Sequence, residues 1–233
     1  MNWPAALLEA WRHASPTASR TLVVPDGCRD LIAMEAPGQP ARWLVSPLAD
    51  SGYTVESVAG AIYTGYRLRP GVRIDNDALL RLARAGDPAD IQRACALLEA
   101  FAHMDAGTSE ALDALAAAPN VTTAARALGL SERSLERLLL SGTGRTPVYW
   151  RRLARLRRSA QALSSDAPLA ELAVDHGFSD QAHMTREFRR WLGTTPARAQ
   201  ASASWRFLLA QSGYGDPVIG VQSSTRNPSR SDT

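Results

Sequence analysis

Ala125-Arg126-Ala127-Leu128-Gly129-Leu130-Ser131-Glu132 returns 48 residues later, from residue 125 to residue 173, as Ala173-Val174-Asp175-His176-Gly177-Phe178-Ser179-Asp180. Each copy is Ala, three residues, Gly, a large apolar residue, Ser and an acid. The pattern reads as two helices meeting at a tight corner. A small residue, Ala125 or Ala173, is needed where steeply crossed helices touch. Gly129 and Gly177 take the left-handed conformation that ends the first helix without a Cβ clash. Leu130 and Phe178 are expected to plug the angle. Ser131 and Ser179 are expected to cap the second helix, with the acid behind each favoured by its dipole. One such corner is common in helical hairpins. Two with matching punctuation point to paired helix-turn-helix units, and so to DNA.

The second helix of the first unit is expected from about Ser131 to Leu140, with Leu135, Leu138 and Leu139 facing inward. Glu132, Arg133, Ser134, Glu136 and Arg137 are left for solvent or DNA. The corresponding helix of the second unit is expected from about Ser179 to Leu192, burying Met184, Phe188, Trp191 and Leu192. Its other face carries Gln181, Ala182, His183, Thr185, Arg186, Arg189 and Arg190. Arg can read guanine, and Gln adenine, through paired hydrogen bonds. Arg189 and Arg190 lie further along, where phosphate contacts are expected. The competing reading is that these are ordinary solvated faces of a helical bundle.

Between the units, Thr146-Pro147 starts a helix as N-cap and first residue. Trp150, Leu153, Leu156, Ala160 and Leu163 form one apolar stripe, and Arg151, Arg152, Arg155, Arg157 and Arg158 are expected to surround it. A helix over 146–163 would be roughly 27 Å long. Successive major-groove faces lie about 34 Å apart, so a stiff connector suits the spacing. Gly193-Thr194-Thr195-Pro196 closes the second unit as Gly144-Arg145-Thr146-Pro147 closes the first.

These features together resemble the DNA-binding module of the AraC/XylS family of bacterial transcription regulators, over residues 108 to 200. The resemblance rests on both corners, on Arg155-Leu156-Arg157-Arg158 in the connector, and on the Gly-Phe-Ser-Asp-Gln…Thr-Arg-x-Phe run. It implies a sequence-specific transcription regulator, activator or repressor. Base-facing positions would fall on Arg133, Glu136 and Arg137, and on Gln181, Ala182, His183 and Arg186. Ser134 and Arg190 complete the candidate DNA-binding set. Ala182 offers only an apolar contact to a thymine methyl. Glu136 would repel phosphate or accept from cytosine. The implied partners are double-stranded DNA, RNA polymerase, a small-molecule effector and a second copy of the chain.

Charge agrees with that reading. Every one of the 26 basic residues is Arg. Residues 1–119 carry 10 Arg and 14 acids, net −4, whereas residues 120–200 carry 13 Arg and 7 acids, net +6. The positive charge gathers where the corners lie, as phosphate binding requires. Two cysteines are too few for a disulfide framework. No apolar run approaches the ~18 residues of a membrane helix, and Met1 to Ala14 lacks the apolar stretch of a signal peptide. A cytoplasmic protein is expected, with no catalytic site, metal or cofactor.

The expected fold class is α+β: a small β-rich domain over 1–75, a helical linker over 76–107, an all-α module over 108–200 and a partly disordered tail over 201–233. Strands are expected at Thr21–Val24, Leu31–Met34, Arg42–Val45, Tyr53–Val58 and Ala61–Leu68, separated by Pro-, Gly- and Asp-rich turns. Pro25-Asp26-Gly27-Cys28-Arg29-Asp30-Leu31 and Gly65-Tyr66-Arg67-Leu68-Arg69-Pro70-Gly71 resemble phrases of an uncharacterised domain found before AraC-type modules. In that wider family such domains bind an effector or dimerise; either, both or neither stays open. After the helix start Asp87-Pro88, Ile91, Cys95, Leu98 and Phe101 form a stripe, for dimerisation or for the chain's own core. Ser109 to Ala117 should be the module's first helix, with Thr122 or Thr123 capping the next. Trp205, Phe207, Leu208 and Leu209 suggest a short docking helix, and disorder is expected from about Ser223.

Two rival functions remain. Cys28, beside Arg29 with Asp26 and Asp30 nearby, could be a reactive thiol of an enzyme or alkyl acceptor, or simply a small buried apolar residue. The chain could also bind DNA without any effector.

Overall fold

The computed structural model describes residues 3–163, 166, 168–216 and 222–225. The amino-terminal part holds β1 (Leu7–Ser15), β2 (Ser19–Val23), β3 (Arg29–Glu35), β4 (Arg42–Val45), β5 (Tyr53–Ser57), β6 (Ala61–Leu68) and β7 (Arg73–Ile74). Then come α1 (Asn76–Ala83), α2 (Ile91–Phe101) and β8 (Ala102–His103). The helical part follows as α3 (Ala106–Ala117), α4 (Val121–Ala127), α5 (Glu132–Thr143), α6 (Pro147–Gln161), α7 (Leu169–Asp175), α8 (Gln181–Leu192), α9 (Pro196–Ala201) and α10 (Ala203–Leu209). A last strand is β9 (Gln222–Thr225). The fold is α+β, a β-rich amino-terminal part followed by an all-α module with two corners joined by α6.

The main sheet runs β4-β3-β6-β1-β9, while β2 and β5 form a separate ribbon. The five expected strands fall at β2 to β6. β1 has no counterpart in the sequence reading, because Glu9, Arg12 and His13 break its apolar pattern. It is a strand because it pairs along its length with β6, from Leu7 opposite Leu68 to Ser15 opposite Ala61. The expectation of disorder from Ser223 is corrected at Gln222–Thr225, which pairs in parallel with β1. The outer edge of β1 offers unpaired donors and acceptors to any backbone delivered to it. Residues 226–233, where disorder is also expected, lie outside the described residues.

The described residues bury two apolar cores. One joins the sheet to α1 and α2 through Leu7, Leu31, Leu68, Leu79 and Leu98. Cys95 and Leu98 face into it, so the stripe of α2 serves the chain's own core. The other gathers the helices around Trp150, Leu153, Phe188 and Trp191. Three helix starts ahead of α5 differ from expectation, each because a nearer carboxylate or amide reaches the orphan backbone donors. Asp90, not Asp87-Pro88, caps α2. Asn120, not Thr122 or Thr123, caps α4 by accepting from the Thr123 amide at 2.8 Å. Asp105 starts α3 at Ala106, ahead of Ser109.

The two cores meet at a polar joint. Arg67 of β6 is buried; its Nη2 lies 2.8 Å from Asp26, its Nε lies 3.4 Å from Asp30, and its Nη1 donates to the Ser212 carbonyl at 2.7 Å. Trp11 Nε1 donates to the same Asp30 oxygen, Oδ1, at 2.8 Å. Burial opposes the charge on Arg67, but Asp26 and Asp30 outweigh it and hold its pKa above the ordinary arginine value. Gly27 packs against Tyr214, Trp150 and Leu153; a Cβ there would lie 2.7 Å from Tyr214 Cβ. Tyr214 donates its amide to Asp26 O at 2.8 Å and its hydroxyl to Leu112 O at 2.7 Å. The two phrases singled out in the first half thus supply Asp26, Gly27, Asp30 and Arg67 to one joint.

Arg157 corrects an expectation. It is buried rather than solvated, with Nε on Tyr214 O and Nη2 on Gln211 O and on Asp216. The connector therefore holds the segment after α10 from below, while Arg67 holds it from the sheet. Cys28 sits in this joint, fully buried. Its burial and Asp26 push the thiol's pKa up, against the reactive-thiol expectation. Replacing Arg67 by Met leaves Asp26 and Asp30 buried without their cation. Urea unfolding should show a loss of about 3–5 kcal/mol, and a loss under 1 kcal/mol would show that the joint is not held this way.

Candidate nucleic-acid interface

The two corners are built alike at the level of single bonds. After α4, the Gly129 amide donates to Arg126 O at 3.1 Å and the Leu130 amide to Ala125 O at 2.9 Å. After α7, the Gly177 amide donates to Val174 O at 2.9 Å and the Phe178 amide to Ala173 O at 2.9 Å. Both sets are the paired bonds of a helix end turned by a left-handed residue. Gly129 and Gly177 have φ of 65° and 73°. Ala125 and Ala173 are buried at the helix crossings.

The plug differs between the corners. Phe178 is buried, but Leu130 is exposed, which corrects the expectation for it. Leu128, one residue before the glycine, packs on the core instead. The caps differ too. Ser131 accepts from the Ser134 amide at 3.1 Å, as expected. At α8 it is Asp180, not Ser179, that accepts, from the His183 amide at 2.6 Å. That hydrogen bond holds the Asp180 carboxyl below its ordinary pKa.

On α5, Leu135 and Leu139 are fully buried, while Arg133, Glu136 and Arg137 are exposed and Ser134 is half-buried. On α8, Met184, Phe188, Trp191 and Leu192 are buried, and Gln181, Ala182, Arg186, Arg189 and Arg190 are exposed. Ala182, Arg186 and Arg190 stand four residues apart and share a face. Arg133, Arg137, Arg186, Arg189 and Arg190 take part in no salt bridge among the described residues. His183 is partly withdrawn. Its Nδ1 lies 3.1 Å from Ser179 Oγ, and its ring meets Phe178 edge-on at 5.4 Å.

The connector α6 spans 15 residues, so about 22 Å. It is capped by Thr146 with Pro147 as first residue, and Trp150, Leu153, Leu156, Ala160 and Leu163 are buried as expected. Its arginines grip both units. Arg151 donates to Pro119 O at 3.0 Å, ahead of α4. Arg155 donates to Gly177 O at 3.0 Å and lies 4.4 Å over the Phe178 ring, so it braces the second corner directly.

The sequence gives no sign of a second brace, the loop between β4 and β5. Tyr149 donates its hydroxyl to Ala49 O at 2.9 Å, and Arg145 bonds Leu48 O and Asp50 at 3.1 and 2.8 Å. Gly52 donates its amide to Trp191 O at 2.8 Å. Pro47 and the Asp50-Ser51-Gly52 cluster mark a loop, but nothing local names what it touches. The amino-terminal part therefore holds both the start of α6 and the end of α8.

Residues 124–202 match the family model described as a helix-turn-helix domain. This segment carries a helix-turn-helix domain. It is similar to part of the HTH-type transcriptional regulator RipA of Corynebacterium glutamicum, 36% identical over 69 residues, or 30% of this chain and 21% of that one. The chain thus spans about a fifth of the curated relative it matches. Among solved structures, the DNA-binding domain of the global transcriptional factor AdpA, in complex with a target DNA, is 31% identical. That match covers 40% of this chain and 85% of the other, with a TM-score of 0.35. A transcriptional regulator with an AraC-type domain from Chromobacterium violaceum is 25% identical, covering 47% and 100%, with a TM-score of 0.37. No helix among the described residues is long and apolar enough to cross a membrane.

The helix-turn-helix domain depends on left-handed backbone at its corners. A Cβ added at Gly129 or Gly177 meets nothing within 4 Å. Gly129→Ala and Gly177→Ala should each cost about 1–2 kcal/mol, from backbone strain alone. Thermal denaturation of each variant checks this, and an unchanged Tm would show that the corner tolerates another conformation.

Proposed function

We propose that this chain is a sequence-specific DNA-binding transcription regulator, with α5 and α8 entering neighbouring major-groove segments. The observation that carries this reading is the same corner built twice, each ahead of a helix with exposed, unpaired arginines, in a segment of net charge +6. Arg137 and Arg186 are the proposed guanine readers, with Arg133 beside the first. Gln181 suits adenine, Ala182 a thymine methyl and Glu136 the amino group of cytosine. Ser134, His183 and Arg190 complete the contact set. His183 combines a base-edge role with bracing the corner, and Arg190, like Arg189, contacts phosphate. Residues 108–200 are the DNA-binding unit, joined to 1–107 as the input half and closed by 201–216.

Selection of bound duplexes from a random pool with the full chain should return a bipartite site, each half read by one unit. On that site Arg186→Ala should weaken binding by about 1–3 kcal/mol and relax specificity at one position, whereas Arg190→Ala should weaken all sequences alike and lower the salt slope. Anisotropy titrations at several salt concentrations separate the two. No enriched sequence from the pool would overturn the reading.

A further inference from the structure

Between the sheet and the carboxyl end of α5 lie two adjoining clefts of about 270 and 410 Å³, which share Arg29, Leu48, Thr143 and Gly144 in their walls. Arg29, Arg69, Arg73 and Arg145 line them, and neither wall includes an Asp or Glu. Arg29, half-buried at the start of β3, has no salt-bridge partner among the described residues. Its charged neighbour is Arg145, of like sign; burial first, and then Arg145, push its pKa down. Arg145 uses Nη2 on Leu48 O and Asp50, while its Nε is buried without a hydrogen-bond partner. The buried arginines among the described residues are treated otherwise: Arg67 faces Asp26 and Asp30, and Arg157 faces Asp216. A half-buried guanidinium without a counter-charge, as at Arg29, is unfavourable, and a like-charged neighbour makes it more so, while Arg145 itself is paired with Asp50.

We propose that these clefts bind a small organic anion, its carboxylate or phosphate held by Arg29 and the Nε edge of Arg145. The planar guanidinium presents donors in the geometry that both groups accept. Val45, Pro47 and Leu48 offer an apolar wall, and Ser46, Asn76 and Thr143 offer polar atoms, to the rest of the molecule. A space of a few hundred Å³ suits a small metabolite. The far wall is Leu140 to Gly144, the last turn of α5 and the residue after it. Occupancy therefore bears on the helix that carries Arg133 and Arg137; this consequence rests on the DNA-binding reading, while the binding itself does not.

The test is thermal melting of the full chain without DNA, in inorganic phosphate, in succinate, and in sodium chloride at matched ionic strength. A saturable rise in Tm with phosphate, succinate or both, absent in chloride, is expected. Phosphate alone assigns a phosphorylated ligand, succinate alone a carboxylic acid, and both the shared chemistry. Arg29→Met should abolish the response and, without anion, melt no lower than the wild type, since it removes a like charge from beside Arg145. Arg145→Gln should raise the concentration needed at least tenfold. A rise equal in chloride, no rise in either anion, or a response that survives both substitutions overturns the proposal. Loss of DNA affinity in Arg29→Met with no anion response would assign Arg29 to the DNA backbone and also overturn it. DNA binding measured separately keeps the two readings apart: a chain that responds to anions but enriches no DNA sequence loses the function and keeps the cleft.

Discussion

Arg67 lies sealed between the sheet and the segment after α10, and its charge is tolerable there because Asp26 and Asp30 face it. Remove that pairing and the joint between the two cores has no polar logic. Asp26 is tied at once to Arg67 through its carboxylate and to the Tyr214 amide through its carbonyl. Gly27, the next residue, leaves room for Trp150, Leu153 and Tyr214 to press against the turn. The segment 211–216 is gripped from the other side by Arg157 of the connector. A buried ion pair adds little net stability against an apolar alternative, whereas removing one partner leaves the other charge buried and uncompensated.

The joint reaches the corners. The connector α6 carries Trp150 and Leu153 into the joint, and it also carries Arg151 and Arg155, which hold Pro119 and Gly177. The β4–β5 loop adds contacts to Tyr149, Arg145 and the end of α8. The relation between α5 and α8 is thus set by a rod and by a strap from the amino-terminal part. The strap touches the start of α6 and the carboxyl end of α8.

Much of the helical half was legible. The left-handed glycines, the apolar faces of α5, α6 and α8, and the Thr-Pro start of α6 are local, and local chemistry reports them faithfully. The errors are instructive for the same reason. Ser179 lost the cap to Asp180 because two capable oxygens stand side by side and only the backbone angle chooses between them. Leu130 lost the plug to Leu128 because the shape of the first corner turns it outward. Arg157 read as one more solvated arginine, since nothing beside it in sequence reveals Asp216, 59 residues away.

The sequence by itself determined the elements with a period or a punctuation mark: the paired corners, the amphipathic helices, the strands β2 to β6 and the concentration of arginine in one half. Each follows from forces acting within a turn or two of chain. Tertiary structure alone decided that Leu7–Ser15 is a strand, that Gln222–Thr225 joins it, that α2 faces the sheet, and which arginines are buried with carboxylates and which with none. Those outcomes depend on partners far away in the chain. An edge strand needs the neighbour it pairs with, and a buried charge needs the counter-charge that folding brings to it.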